Sequence, residues 1–242
     1  MLKRLLLLIS LTGFGLALHA QDMKVHELLG YYFENTGGIE NWKKLNSMRM
    51  KGLMSMQGME FKGVITQARP NKKRLEVDIQ GQSMIQAYDG EEAWWLFPMQ
   101  TGPDPQAMPA EMAEEMVISK FEDELIDYTK KGHTVELIGT SEVEGTATYE
   151  IKLTKENGEV AYYYFDKESY LPVMQKSEVS TGPMKGQFVE TYLSDYQEVD
   201  GMMIPHFTEA KMNGQSTQKI TLQEVELNPE LDDLIFSRPK KD

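Results

Sequence analysis

The sequence predicts a mainly β protein: one large, curved antiparallel sheet, an unclosed β-barrel, with covering helices. Three observations predict it. From Ser47 onwards apolar and polar residues alternate with a period of two. Tight-turn pairs, Asp89-Gly90, Asn157-Gly158 and Asp200-Gly201, punctuate that alternation. A proline-rich stretch and an amphipathic segment interrupt it once, near 98–131, as a helical lid inserted into the sheet.

Residues 1–20 read as a secretory signal peptide. Lys3 and Arg4 give a basic start, Leu5 to Leu18 is an apolar run broken by Ser10, Thr12, Gly13 and Gly15, and Ala20 precedes the polar Gln21-Asp22. A membrane anchor needs ~20 apolar residues, and this run is shorter. Cleavage after Ala20, with Ala17 the second choice, leaves 21–242 as a single β domain working in the periplasm.

Val25 to Phe33 places Leu28, Leu29, Tyr32 and Phe33 at helical spacing, and Asn35-Thr36-Gly37-Gly38 stops the helix. Ile39 to Leu45 predicts a second short helix. In the first strand Met48, Met50, Met54 and Met56 alternate, with Gly52-Leu53 marking a bulge. Phe61, Val64 and Ile65 begin the next strand, which ends at Arg69-Pro70-Asn71. Leu75, Val77 and Ile79 alternate with Arg74, Glu76 and Asp78. Met84 to Tyr88 and Ala93 to Phe97 complete a five-strand meander. Pro98 to Pro109 carries no strand pattern.

Ala110 to Tyr128 then predicts one amphipathic helix, with Met112, Met116, Phe121 and Leu125 near one stripe. Glutamates in its first turns, Lys130-Lys131 at its end and Gly132 as its cap agree with that reading. Strands follow near 134–143, 146–153, 159–165, 171–179, 186–196, 203–212 and 216–226, for about twelve in all. Pro229 to Phe236 reads as a short terminal helix or turn.

Composition narrows the function. No cysteine is present, which excludes disulfides, thiolate metal sites, a Cys nucleophile and a lipid-modified N-terminal Cys. Without Lys3 and Arg4 the chain carries 23 basic and 38 acidic residues, a net of about −15. Such a surface repels nucleic acid and anionic lipid headgroups. Past the leader, His26, His133 and His206 show no metal-ligand spacing, and there is no Gly-x-Ser-x-Gly elbow or phosphate-binding glycine loop. The reading is a binding protein without cofactor or metal, not an enzyme.

What remains is apolar surface, and 17 methionines supply much of it. Methionine is flexible and polarizable, and suits walls that must accept variable apolar shapes. Met48, Met50, Met54 and Met56 are candidates for the wall of an acyl-chain cavity. Trp94, Trp95, Phe97 and Met99 are candidates for its mouth, and Met112, Met116 and Phe121 for its lid. Plain core filling accounts for the same pattern.

The order Arg69-Pro70-Asn71-Lys72-Lys73-Arg74, then Tyr88-Asp89-Gly90-Glu91-Glu92-Ala93-Trp94, then Pro98, resembles the lipoprotein-sorting carriers of the bacterial periplasm, the LolA-like group. Tyr164 to Val173 and Tyr196 to Pro205 resemble that group's later strand junctions, so the likeness spans roughly 23–236. It implies an unclosed barrel whose helices cover an apolar cavity for lipoprotein acyl chains. It also implies membrane-bound donor and acceptor partners, a monomeric carrier, and a transfer-related arginine with Arg69 or Arg74 as counterpart. The chain departs from the group in its length and in lacking the disulfide some members have. The same fold serves envelope-stress regulators, so a lipid- or stress-sensing module acting through a protein partner is the second reading. A lipid- or glycan-directed enzyme and a fully packed structural protein are the others.

Overall fold

The computed structural model describes residues 23–56, 58–182 and 184–240; the signal-peptide reading of 1–20 lies outside them. Two helices open the described chain, α1 (Val25–Asn35) and α2 (Ile39–Lys44). Then come β1 (Ser47–Met56), β2 (Met59–Ala68), β3 (Lys72–Ile79), β4 (Gln82–Tyr88) and β5 (Ala93–Leu96). The insertion follows as α3 (Pro98–Thr101), the two-residue strand β6 (Gln106–Ala107) and α4 (Ala110–Ile118). The second half holds β7 (Thr134–Val143), β8 (Thr146–Thr154), β9 (Val160–Asp166), β10 (Pro172–Glu178), β11 (Phe188–Val199), β12 (Met202–Met212) and β13 (Gln215–Leu227). A 3-10 turn at Asp233–Ile235 precedes the end.

All of these strands join one antiparallel sheet of thirteen, ordered β6-β5-β4-β3-β2-β1-β13-β12-β11-β10-β9-β8-β7. Two meanders therefore meet at the β1–β13 pair, and β6 and β7 are the two unjoined edges, so the sheet is not closed into a barrel. This order fixes what the insertion must do. It leaves β5 at one edge and rejoins at β7 on the other, so 97–133 has to run across a face of the sheet.

The sequence reading of the strands holds within a few residues, with β6 added where no strand pattern was visible. The bulge expected at Gly52 is present as a register shift between Lys51 and Gly52 against β13. The long insertion helix is corrected: α4 ends at Ile118, and turns fill 119–131. Tertiary donors explain the break. Asn71 Nδ2 and Lys73 Nζ donate to the carbonyls of Val117 and Ser119 at 2.9 and 2.7 Å. Asp123 then accepts the Leu125 N–H on its own side chain at 2.8 Å, a local bond that competes with helix. Gly132 therefore caps no helix; at φ +74° it closes the last of these turns, with the His133 N–H donating to the Tyr128 carbonyl at 2.9 Å.

The main core lies between α1 and the β8–β9 region. Leu28, Leu29, Tyr32 and Phe33 of α1 pack with Leu125 and Ile126 of the insertion onto Ile151, Leu153 and Phe165. A second cluster joins Leu45 and Met48 to Met202 and Ile204, with Phe121 against it. A third places Met116 and Ala113 of α4 beside Tyr88, Ala93, Met108 and Trp95. Helices and insertion thus share one face of the sheet.

Candidate functional site

Residues paired directly across neighbouring strands share a face, so register gives the site row by row. On the helix-covered face one row runs Val225, Met50, Ile65, Leu75, Gln86, Trp95. The next runs Leu222, Gly52, Gly63, Val77, Met84. A third runs Ile220, Met54, Phe61, and Met56 pairs with Met59 beyond it. The middle row is the informative one. Gly52 and Gly63 face each other and supply no side chains: at Gly52 the β13 backbone closes in, and at Gly63 the apolar face dips between flanking rows of Met, Ile and Phe.

Both glycines are there for close approach. A Cβ on Gly52 would fall 2.1 Å from the Thr221 carbonyl oxygen, a backbone clash. A Cβ on Gly63 would fall 2.7 Å from Sδ and Cε of Met54. The Met54 thioether therefore lies in the dip, where it is 2% exposed. At one end of this face Phe121 packs against the Leu45–Met48 cluster and Met116 against the Tyr88–Ala93 cluster. The other end is open: Met56 and Met59 are 45% and 57% exposed at the β1–β2 tip. Around that tip a shallow cleft of about 580 Å³ is lined by Met59 and Phe61 together with the polar Glu60, Lys62, Asp78 and Gln80.

Met48, Met50, Met54 and Met56 thus share the face with Trp95, Met116 and Phe121. Met99 and Met112 are exposed on α3 and α4, and Phe97 sits half-buried between β5 and α3. Trp94 is corrected. It is adjacent to Trp95 in a strand, so it faces the opposite side, in the row Arg49, Thr66, Arg74, Ala87, Trp94. There it is buried, and its Nε1–H donates to the Phe236 carbonyl at 2.7 Å. The sequence reading missed the paired glycines as a site feature. The available signal was a glycine in each of two consecutive strands, at positions that antiparallel pairing of β1 with β2 brings opposite one another.

The two arginine candidates also part company. Arg69 holds the insertion down: its guanidinium donates to Glu122 at 2.6 Å and to the carbonyls of Leu45 and Trp42 at 2.8 and 3.3 Å. It also lies 5.7 Å from the Phe121 ring centroid. Lys131 pairs with the same Glu122 at 3.0 Å, and Lys43 pairs with Asp127 at 3.1 Å. Burial pushes the Glu122 carboxyl up, but Arg69 and Lys131 outweigh it and hold the group below its ordinary range. Arg74 faces the other side of the sheet, with Trp94.

Beside this clasp the Tyr32 hydroxyl donates to Asp123 at 2.6 Å. Burial raises the Asp123 carboxyl above its ordinary value, against the pull of the Tyr32 and Leu125 hydrogen bonds. Burial, then the nearby Asp123 charge, also raises the Tyr32, Tyr163 and Tyr196 phenols. Elsewhere, His133 Nε2 lies 3.2 Å from Glu124 while Nδ1 accepts the Glu156 N–H, and buried His206 Nδ1 lies 2.9 Å from the Ile204 carbonyl. Among the described residues no group of three or more His, Cys, Asp or Glu side chains could hold a metal ion. No helix among them is long and apolar enough to cross a membrane.

A family model described as "Uncharacterized protein" matches residues 75–240. The chain belongs to that family. Its fold is LolA-like. A domain described as an outer membrane lipoprotein-sorting protein, from Vibrio parahaemolyticus, superposes with a TM-score of 0.58 at 10% identity, covering 87% of this chain and 94% of that one. A DUF1329 family protein from Desulfovibrio piger gives 0.55 at 12% identity, covering 87% and 97%. A LolA superfamily protein from Nitrosomonas europaea gives 0.53 at 10% identity, covering 89% and 98%. No curated protein matches. At these identities the likeness is one of fold.

Proposed function

We propose that this protein is a soluble periplasmic carrier that binds acyl chains of lipids or lipoproteins in the trough on its helix-covered face, for transfer towards the outer membrane. The observation that carries the reading is the dip at Gly63, filled by one flexible methionine and walled by apolar side chains. An acyl chain would enter past Met56 and Met59, displace the Met54 thioether and lie along the dip beneath Phe121 and Met116. Each methylene taken out of water contributes ~0.8 kcal/mol, so a partly inserted chain already supplies useful affinity. Methionine walls adapt to chains of different shape. The Arg69–Glu122 contact would keep the roof in place while cargo is held, and release to an acceptor would require that contact to open. The signal-like residues 1–20 and the lipoprotein-sorting domain among the similar folds support the compartment and the cargo class.

Titration of the mature protein with a fluorescent fatty acid and with a diacylated lipopeptide tests the reading. Gly63→Leu fills the dip, meeting a flexible side chain first, and should weaken both ligands about tenfold or more, the cost of losing roughly two buried methylenes. Circular dichroism and a urea transition confirm that the variant folds. If the unaltered protein takes up neither ligand, or if folded Gly63→Leu binds them as well as the parent, the carrier reading is wrong.

A further inference from the structure

Residues 229–240 form a strap across the face opposite the helices. It is tied down by several bonds. Besides the Trp94 indole, Arg74 Nη1 donates to the Ile235 carbonyl at 3.0 Å, Ser47 Oγ donates to the Pro229 carbonyl at 3.2 Å, and Lys72 pairs with Asp233 at 2.8 Å. Phe236 of the strap is fully buried. Between strap and strands lies a cleft of about 470 Å³, within the range of small-molecule sites.

The charged lining of this cleft is lopsided. Arg49, Arg74 and Glu76 line it, two guanidiniums against one carboxylate. Arg74 is committed: its Nη2 donates to Glu76 at 2.9 Å, and the guanidinium lies 5.8 Å from the Trp94 ring centroid. Arg49 is less committed. Its ion-pair partner among the described residues is Glu226, outside the cleft and reached through one nitrogen at 3.5 Å; Lys51 touches the same carboxylate at 3.5 Å but is held mainly by Glu224 at 3.0 Å. A guanidinium carries five donors in a planar fork, so most of Arg49's capacity has no protein acceptor in these contacts. Buried Thr66 lies between the two arginines in the same row. The rest of the lining is largely apolar, with Val64 below and Leu234, Ile235 and Pro239 above.

We infer that this cleft is a second ligand site, which takes an aliphatic monocarboxylate with its head on Arg49 and its tail between Val64 and the strap. The spare donors of one guanidinium fork fit a single carboxylate, and the apolar walls require a tail. The site lies across the sheet from the trough and stands independently of the carrier reading.

The adjacent tryptophans allow the two faces to be read separately. Trp94 reports on the strap side and Trp95 on the helix side. In ¹H–¹⁵N spectra of the mature protein, with indole signals assigned by Trp→Phe variants, decanoate should shift the Trp94 indole signal saturably. Decanol, with a comparable tail and no charge, should bind about tenfold more weakly, as expected for loss of a charge-assisted contact. Acetate and inorganic phosphate should be weaker still. Arg49→Gln should weaken decanoate about tenfold while leaving the free-protein Trp94 signal in place, which shows the strap still seated. The inference is overturned if decanoate moves Trp95 and not Trp94, if Arg49→Gln binds it unchanged, or if phosphate or acetate matches it. A shift at Trp94 with none at Trp95 supports this site and counts against the trough.

Discussion

The two ends of the helix-covered face are built from different materials. Under α1, Ile151, Leu153 and Phe165 are fully buried, and the α1 residues above them are large, branched or aromatic. Near the β1–β2 pair the same face carries methionines, two facing glycines and half-buried Ile65 and Leu75. Branched and aromatic side chains have few rotamers and pack into one arrangement; methionine has several and glycine leaves space. One end is therefore a fixed wall that anchors the helices, and the other an adaptable surface. A protein that must hold its fold while its binding face changes shape needs both, in different places.

That contrast can be broken by mutation. Phe165→Ala should cost about 3–5 kcal/mol in a urea transition, because the fixed wall cannot collapse into the hole. Met54→Ala, at a side chain almost equally buried, should cost only about 2 kcal/mol, the low end for such truncations, since its dip adjoins an open tip. Equal costs would mean that the trough is ordinary core. Arg69→Gln sharpens the boundary between the two ends. Loss of its contacts to Glu122 and the α2 carbonyls should cost on the order of 2 kcal/mol locally. Hydrogen exchange of the 119–131 amides should then accelerate about thirtyfold while β8 and β9 stay protected.

The smallest effect concerns pH. Asp123 has a folded pKa raised above its unfolded value of about 3.9. Its contribution to stability is full below that value and is lost as pH rises through the folded pKa, because burial then opposes the charge. Asp123→Asn should flatten this slope, so the variant gains on the parent as pH rises above about 4. Urea midpoints across that range measure it, and parallel curves would show that the carboxylate is not withdrawn from water.

Much of this fold was legible in local chemistry. Period-two alternation and Asp-Gly or Asn-Gly turns located nearly every strand, because side-chain direction and turn conformation depend on neighbours a few residues away. The even-numbered methionines from Met48 to Met56 were correctly placed on one face for the same reason. Adjacent Trp94 and Trp95 needed the same rule applied strictly: in a strand they cannot line one mouth. The end of α4 was not legible, since the donors that take its last carbonyls, Asn71 and Lys73, stand far away in sequence.

By itself, then, the sequence determined the antiparallel meanders, the two helices that precede β1 and the apolar character of one strand face, all consequences of short-range periodicity. Only tertiary structure decided where the insertion crosses, that Gly52 meets Gly63 over a bulge, that Arg69 clasps the insertion, and that the 229–240 strap seals Trp94 on the far side. Each depends on which distant segments are brought together, and that follows from closing one shared core with the whole chain rather than from any local pattern.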